Sequence, residues 1–183
     1  MSINHTLPPL PTITHHEKLP SGAKELTRFQ VHDTKDLYVF IEYERWLIIH
    51  NSREAFIYGK KEYLYEQIDL PMGFLNWFPK ALDNFRAPPA EGGLRAGTMA
   101  SDGEMVEGEE LCIMREMGDR AWPEKGPPPG YAVENRSRLE RGNENMPEFQ
   151  DAQEMSFSEQ LLFEGGLLSL IRQLGAQYRS GAL

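Results

Sequence analysis

The 183-residue chain is acidic, with 19 Lys and Arg against 28 Asp and Glu and a net charge of −9; 40% of it is apolar, including three Trp, nine Phe and seven Tyr. That content is enough for a packed core and excludes wholesale disorder, and no apolar run approaches the roughly 20 residues that span a bilayer. An acidic total argues against strong non-specific nucleic-acid binding, which rests on phosphate neutralisation. The single cysteine, Cys112, excludes an intramolecular disulfide framework and suits a reducing compartment, with cytoplasm the default.

Residues 1–22, MSINHTLPPLPTITHHEKLPSG, have neither a basic start nor an apolar h-region, so they do not read as a secretory signal. Rich in Pro, Thr and His and without periodicity, they read as a flexible arm. His15 and His16 have no Cys or third ligand close by, and a solvated tail is preferred over a metal site.

Residues 23–86 form the first expected unit. LTRFQV (26–31), LYVFIEY (37–43), WLIIH (46–50), AFIYG (55–59) and EYLYEQIDL (62–70) are dense in β-branched and aromatic residues and predict strands. HDTKD, ER, HNSR and GKK between them carry turn chemistry. Pro71 ends the last strand, and Phe74, Leu75, Phe78, Leu82 and Phe85 then recur at helical spacing, with Pro79 predicting a kink.

Residues 87–108 read as a Pro/Gly and acidic linker, and 109–183 as a second unit. ELCIMREM (110–117), GYAVENRSR (130–138) and EMSFSE (154–159) predict strands, with a long loop carrying Trp122 after the first and a polar loop over 139–153. Leu167, Leu168, Ile171, Leu174 and Tyr178 mark a final helix within 160–179, whose start Gly165 and Gly166 weaken.

The two units repeat each other at an offset of 93 residues. EQIDLPMGFLNWFPKALDNFR (66–86) and EQLLFEGGLLSLIRQLGAQYR (159–179) share five of 21 positions without a gap, Gly73/Gly166 and Leu75/Leu168 among them. The same offset lays LYVFIEYER (37–45) on GYAVENRSR (130–138). Charge divides unevenly: ten Lys and Arg against eleven Asp and Glu in 1–90, but nine against 17 in 91–183.

No phosphate loop, dinucleotide fingerprint, nucleophile elbow or HExxH motif is present, and the chain is expected to be non-enzymatic, with no cofactor. Asp102, Glu104, Glu107, Glu109 and Glu110 lack the spacing of a calcium loop and read as a solvated acidic stretch. His32, Asp33 and Asp36 have no partner that makes them an acid/base set. Cys112, between Leu111 and Ile113, reads as a small buried hydrophobe. What remains is a surface: Tyr38, Phe40, Tyr43, Trp46, Phe56, Tyr58, Tyr63 and Tyr65 alternate with Lys35, Arg45, Arg53, Lys60 and Lys61. Aromatics interleaved with cations on a sheet suit a stacking platform for single strands.

An α+β chain of two antiparallel-sheet-plus-helix (β-β-β-β-α) units resembles the Pur-alpha family, the Whirly family and the related transcriptional-coactivator single-stranded-DNA binders. The passages QIDLPMGFLNWFPKALDNF and EMSFSEQLLFEGGLLSLIRQLGAQY are similar to the strand-to-helix step of those folds. The resemblance implies single-stranded nucleic acid as partner, DNA ahead of RNA, through Tyr38, Arg45, Arg53, Tyr58, Lys60 and Lys61, with Arg136 and Arg138 in the second copy. It also admits a homodimer. The competing reading is an acidic protein-interaction module, an adaptor or inhibitor of a mobile element, whose second half meets a basic protein.

Overall fold

The computed structural model describes residues 7–119, 121, 126–141 and 151–183. Among the described residues the chain forms two four-stranded antiparallel sheets, each in simple sequential order and each followed by a helix. The first sheet is β1 (Ala23–Gln30), β2 (Leu37–Tyr43), β3 (Trp46–Ile57) and β4 (Lys60–Pro71), leading into α1 (Phe74–Arg86). The second is β5 (Glu104–Val106), β6 (Glu109–Glu116), β7 (Gly130–Leu139) and β8 (Ala152–Ser158). A π-helical turn over Gln160–Glu164 then precedes α2 (Leu167–Ser180). Among the described residues no helix is long and apolar enough to cross a membrane.

Residues 37–50 are strands, as the aromatic and branched content predicts, but the expected break at HNSR is absent. WLIIH and AFIYG lie in one strand, because Asn51, Ser52 and Arg53 go on pairing with Glu66, Tyr65 and Leu64. The GKK turn is also displaced. The chain reverses at Tyr58 and Gly59, both with positive φ (49° and 76°), as a tight two-residue hairpin demands. Lys60 and Lys61 therefore open β4 and are not turn residues.

The expected linker 87–108 is largely structured. Ala100 bridges Met114, and Glu104–Val106 pairs with Glu109–Leu111, so this stretch supplies the second sheet's edge. Trp122 and most of the 139–153 loop lie outside the described residues.

The 93-residue offset holds for the helices, laying Phe74 on Leu167, but fails for the strands. It matches β2 to β7, whereas β2 is the second strand of its sheet and β7 the third. It also lays Glu66 and Gln67 of β4 on Glu159 and on Gln160 of the π turn. The second unit is spaced differently before its helix, and Gly166 (φ 93°) marks where the alignment resumes.

One core serves both units. Phe40, Ile49, Ile68, Phe74 and Phe78 pack in the same cluster as Leu111, Val133, Phe157, Leu167 and Ile171. The Phe157 ring lies 5.9 Å from those of both Tyr38 and Phe78. The helices run antiparallel, with Arg179 donating to Asn76 and Arg172 to Asp83. They approach most closely at Gly175, where an added Cβ would sit 2.6 Å from the Leu75 carbonyl oxygen. That carbonyl is the one deprived of its helical donor by Pro79, four residues on.

The arm is part of the fold from residue 7 onward. Leu10 and Ile13 are buried against Val39, Ile41 and Ile48, on the face of the first sheet opposite the shared core. Leu10 N–H donates to Asp69 Oδ2 (2.9 Å) and Ile13 N–H to Gln67 Oε1 (2.9 Å), and Leu7 bridges Arg138. An apolar residue every third place, Leu7, Leu10 and Ile13, is the signal that sequence reading passed over.

Candidate nucleic-acid interface

β2 begins only at Leu37, opposite Ser52. Beyond that register β3 and β4 have only each other, from the Arg53–Leu64 pair to the Ile57–Lys60 pair, so a two-stranded ribbon overhangs the sheet. With no third strand and no helix beside it, the ribbon leaves large side chains in solvent: Phe56 is 78% exposed and Tyr58, at the tip, fully so. Lys61 pairs with Glu54 at 2.7 Å. Arg53 and Lys60 form no ion pair among the described residues.

At the root of the ribbon, facing the arm, a ladder of rings continues the same surface. His15 stacks on Tyr63 (4.4 Å) and on His16 (4.7 Å), and His50 stacks on Tyr65 (5.6 Å). The Tyr63 hydroxyl lies 2.9 Å from His16 Nδ1 and 3.2 Å from His50 Nε2. His50 is fully buried, and burial pulls its pKa down to about 4; burial lowers that of His16 as well. Both rings are therefore neutral at pH 7; His16 presents a flat surface rather than a cation, and His50, fully buried, supports the ladder from beneath.

A cleft of about 640 Å³ opens beside this ladder, lined by His15, His16, Arg28, Lys35, Arg53 and Tyr63, and also by Glu17 and Glu54. Arg28 is held bidentately by Glu25 (2.8 and 2.6 Å), which leaves Lys35 and Arg53 as its uncommitted charges. The site can hold a planar ring against His15 and an anion against Arg53. Among the described residues no group of three or more His, Cys, Asp and Glu is placed to hold a metal ion.

The structure brings Arg53, Tyr58, Lys60 and Lys61 together on the ribbon and separates the other expected site residues from it. Tyr38 is buried in the shared core, so it offers no face to a ligand. Arg45 lies at the far end of the sheet over Trp46 (4.8 Å). Arg136 is engaged by Glu134 (2.7 Å) and Glu110 (3.4 Å). Arg138 is fully buried, donating to both Glu109 carboxylate oxygens at 2.7 Å and to the Pro8 carbonyl. Glu107 is likewise no solvated linker acid: it accepts from Gly73 N–H (2.9 Å) and from the Tyr178 hydroxyl (2.7 Å), tying the start of α1 to the end of α2.

His15 and His16, read from sequence as part of a solvated tail, are the site residues that sequence reading missed, and buried His50 supports them through Tyr63. The one available signal was His50 itself, a polar residue closing the apolar run LII on a central strand.

Searches against protein-family models, curated proteins and solved structures return no match to this chain.

Proposed function

We propose that this protein is a non-enzymatic, cytoplasmic binder of single-stranded nucleic acid, DNA ahead of RNA, that uses the β3–β4 ribbon and the cleft at its root. The observation that carries the reading is the overhang itself. A ribbon that buries little holds Phe56 and Tyr58 in solvent and also carries Arg53 and Lys60, whose charges no carboxylate takes up among the described residues. Exposed aromatic area costs free energy in a monomer, and bases supply the matching π-faces at roughly 1–3 kcal/mol per stacked base. Two sheet-plus-helix units sharing one core are also what a Pur-alpha-like or Whirly-like single-strand binder requires. In this reading the contact surface lies on the first unit alone.

The test is fluorescence anisotropy with a labelled oligothymidine at about 50 and 200 mM salt. Roughly three phosphate contacts give a log–log slope near −2, so affinity should fall about tenfold to twentyfold between those conditions. A duplex of the same length should bind more weakly. Absence of saturable binding at micromolar protein, or preference for the duplex, rejects the reading.

A second reading has its own observation. In the second unit Arg136 and Arg138 are both neutralised internally, and Glu154 has its pKa raised by burial and then by Glu116, Glu134 and Glu140 around it. That crowded acidic sheet face suits a basic protein partner, and failure of oligonucleotide binding would favour it.

A further inference from the structure

Where α1 ends, the chain folds back over the second sheet and encloses a pocket of about 350 Å³, within the range of small-molecule sites. Arg86, Arg95 and Arg115 all line it, with Phe85, Leu94 and Met99 as apolar wall, and none of its lining residues is acidic. In a chain of net charge −9, three arginines lining one concavity with no acidic residue among its described lining is a specific arrangement. None of the three forms an ion pair among the described residues.

Two of these arginines are held in place by aromatic rings. The Arg86 guanidinium lies 3.9 Å from the Phe163 ring centre, and that of Arg115 lies beside Phe85 (5.4 Å) and Tyr131 (5.7 Å), whose rings meet edge-on, with its Nη2 3.5 Å from the Tyr131 hydroxyl. Ring faces fix a guanidinium without neutralising it, so its N–H edges stay available. Arg115 Nε is buried and has no hydrogen-bond partner among the described residues. A buried donor in that state is costly until an acceptor arrives. Arg95 is exposed and opens a turn in which Thr98 N–H donates to the Arg95 carbonyl (3.1 Å).

We infer that this pocket binds a small phosphate monoester of nucleotide size. Near pH 7 a monoester carries between one and two negative charges and presents three acceptor oxygens in the geometry that guanidinium forks match. One carboxylate supplies a single charge and leaves part of that donor set unanswered. The apolar wall of Phe85, Leu94 and Met99 accommodates the ring or chain that bears the phosphate. The pocket lies away from the β3–β4 ribbon and does not depend on nucleic-acid binding there.

The test is isothermal titration calorimetry of the full chain with adenosine monophosphate, inorganic phosphate and succinate in turn. The expected result is saturable binding of adenosine monophosphate, weaker phosphate and much weaker succinate. Arg115→Gln and Arg95→Gln should each weaken the monophosphate by about tenfold or more, the scale of one lost charge-assisted hydrogen bond. Arg95 is exposed in a loop, so Arg95→Gln stays folded even where Arg115→Gln, beside Phe85 and Tyr131, does not. No heat with adenosine monophosphate at millimolar concentration overturns the inference. So does succinate binding as tightly, or Arg95→Gln binding like the parent. Oligothymidine binding is outside this readout, so its failure bears on the ribbon alone.

Discussion

Asp69 and Gln153 hold each other across the junction of the two units: Asp69 N–H donates to Gln153 Oε1 at 2.8 Å, and Gln153 Nε2 donates back to Asp69 Oδ2 at 3.1 Å. The same carboxylate accepts from Leu10 N–H, Gln67 Nε2 and Arg141, so one buried side chain joins the arm, β4 and the second sheet. Asn135 completes the junction by donating to the Asp69 carbonyl and to Glu109, both at 2.7 Å.

Replacing Asp69 by Ala should therefore cost about 3–5 kcal/mol, since it leaves a guanidinium and several donors buried without an acceptor. Asp69→Asn keeps the shape and part of the acceptor capacity and should cost less. Urea unfolding of both variants checks this, and an Asp69→Ala midpoint equal to the parent's would show that the network contributes nothing.

Deleting residues 1–16 should lower stability sharply, because it uncovers Val39, Ile41 and Ile48, each fully buried. Ile13→Ala alone should cost about 2–5 kcal/mol, whereas Thr14→Ala, one residue on and exposed, should be neutral. Thermal melts of the three variants separate a structural arm from a loose tail.

Stability should rise with pH through the His50 titration. Its folded-state pKa, about 4, lies below the ordinary histidine value of 6.5, so the unfolded chain holds more protons between those values. The contribution is complete above pH 6.5 and is lost as pH falls towards 4, up to about 3 kcal/mol. Paired carboxylates weaken over part of the same range, so the informative quantity is the gap between the parent and His50→Phe. That gap should narrow on acidification; a constant gap removes His50 as the cause.

Gly175→Ala should destabilise the protein by about 1–3 kcal/mol, although alanine is the better helix former by about 1 kcal/mol. The new Cβ meets the Leu75 carbonyl oxygen at 2.6 Å, and backbone cannot move aside as a side chain can. A raised melting temperature would mean that the helices can part at no cost.

On the ribbon, Tyr58→Ala and Arg53→Glu should weaken oligothymidine binding by roughly tenfold while shifting the melting temperature little, because neither side chain supports the core. Arg138→Glu should instead unfold the protein by setting a second carboxylate beside buried Glu109.

Strands and helices were legible because β-branched runs and the Phe74/Phe78/Phe85 spacing report local preference. Boundaries failed where pairing overruled composition, as at Asn51–Arg53, whose polar residues look like a turn and serve as strand. The arm's role was hidden because its partners, Asp69, Arg138 and Arg141, are distant in sequence and look like surface charges. For the site, Tyr58 and Lys60 could be read, but which aromatics face solvent depends on where β2 begins, and Leu37 does not announce that. Tyr38 and Tyr58 are the same residue type with opposite fates, and only the register separates them.

The reach of the Asp69 junction also sets an order on synthesis. The Pro8 and Leu10 carbonyls wait for guanidinium donors 130 and 131 residues downstream, and Asp69 waits 84 residues for Gln153. A nascent first sheet leaves the ribosome with one face stripped of α2 and Phe157 and the other only loosely latched. For most of translation, then, the growing chain carries a sticky half-sheet whose buried carboxylate has only Leu10 and Gln67 as donors, and it should lean on a holdase until β8 emerges.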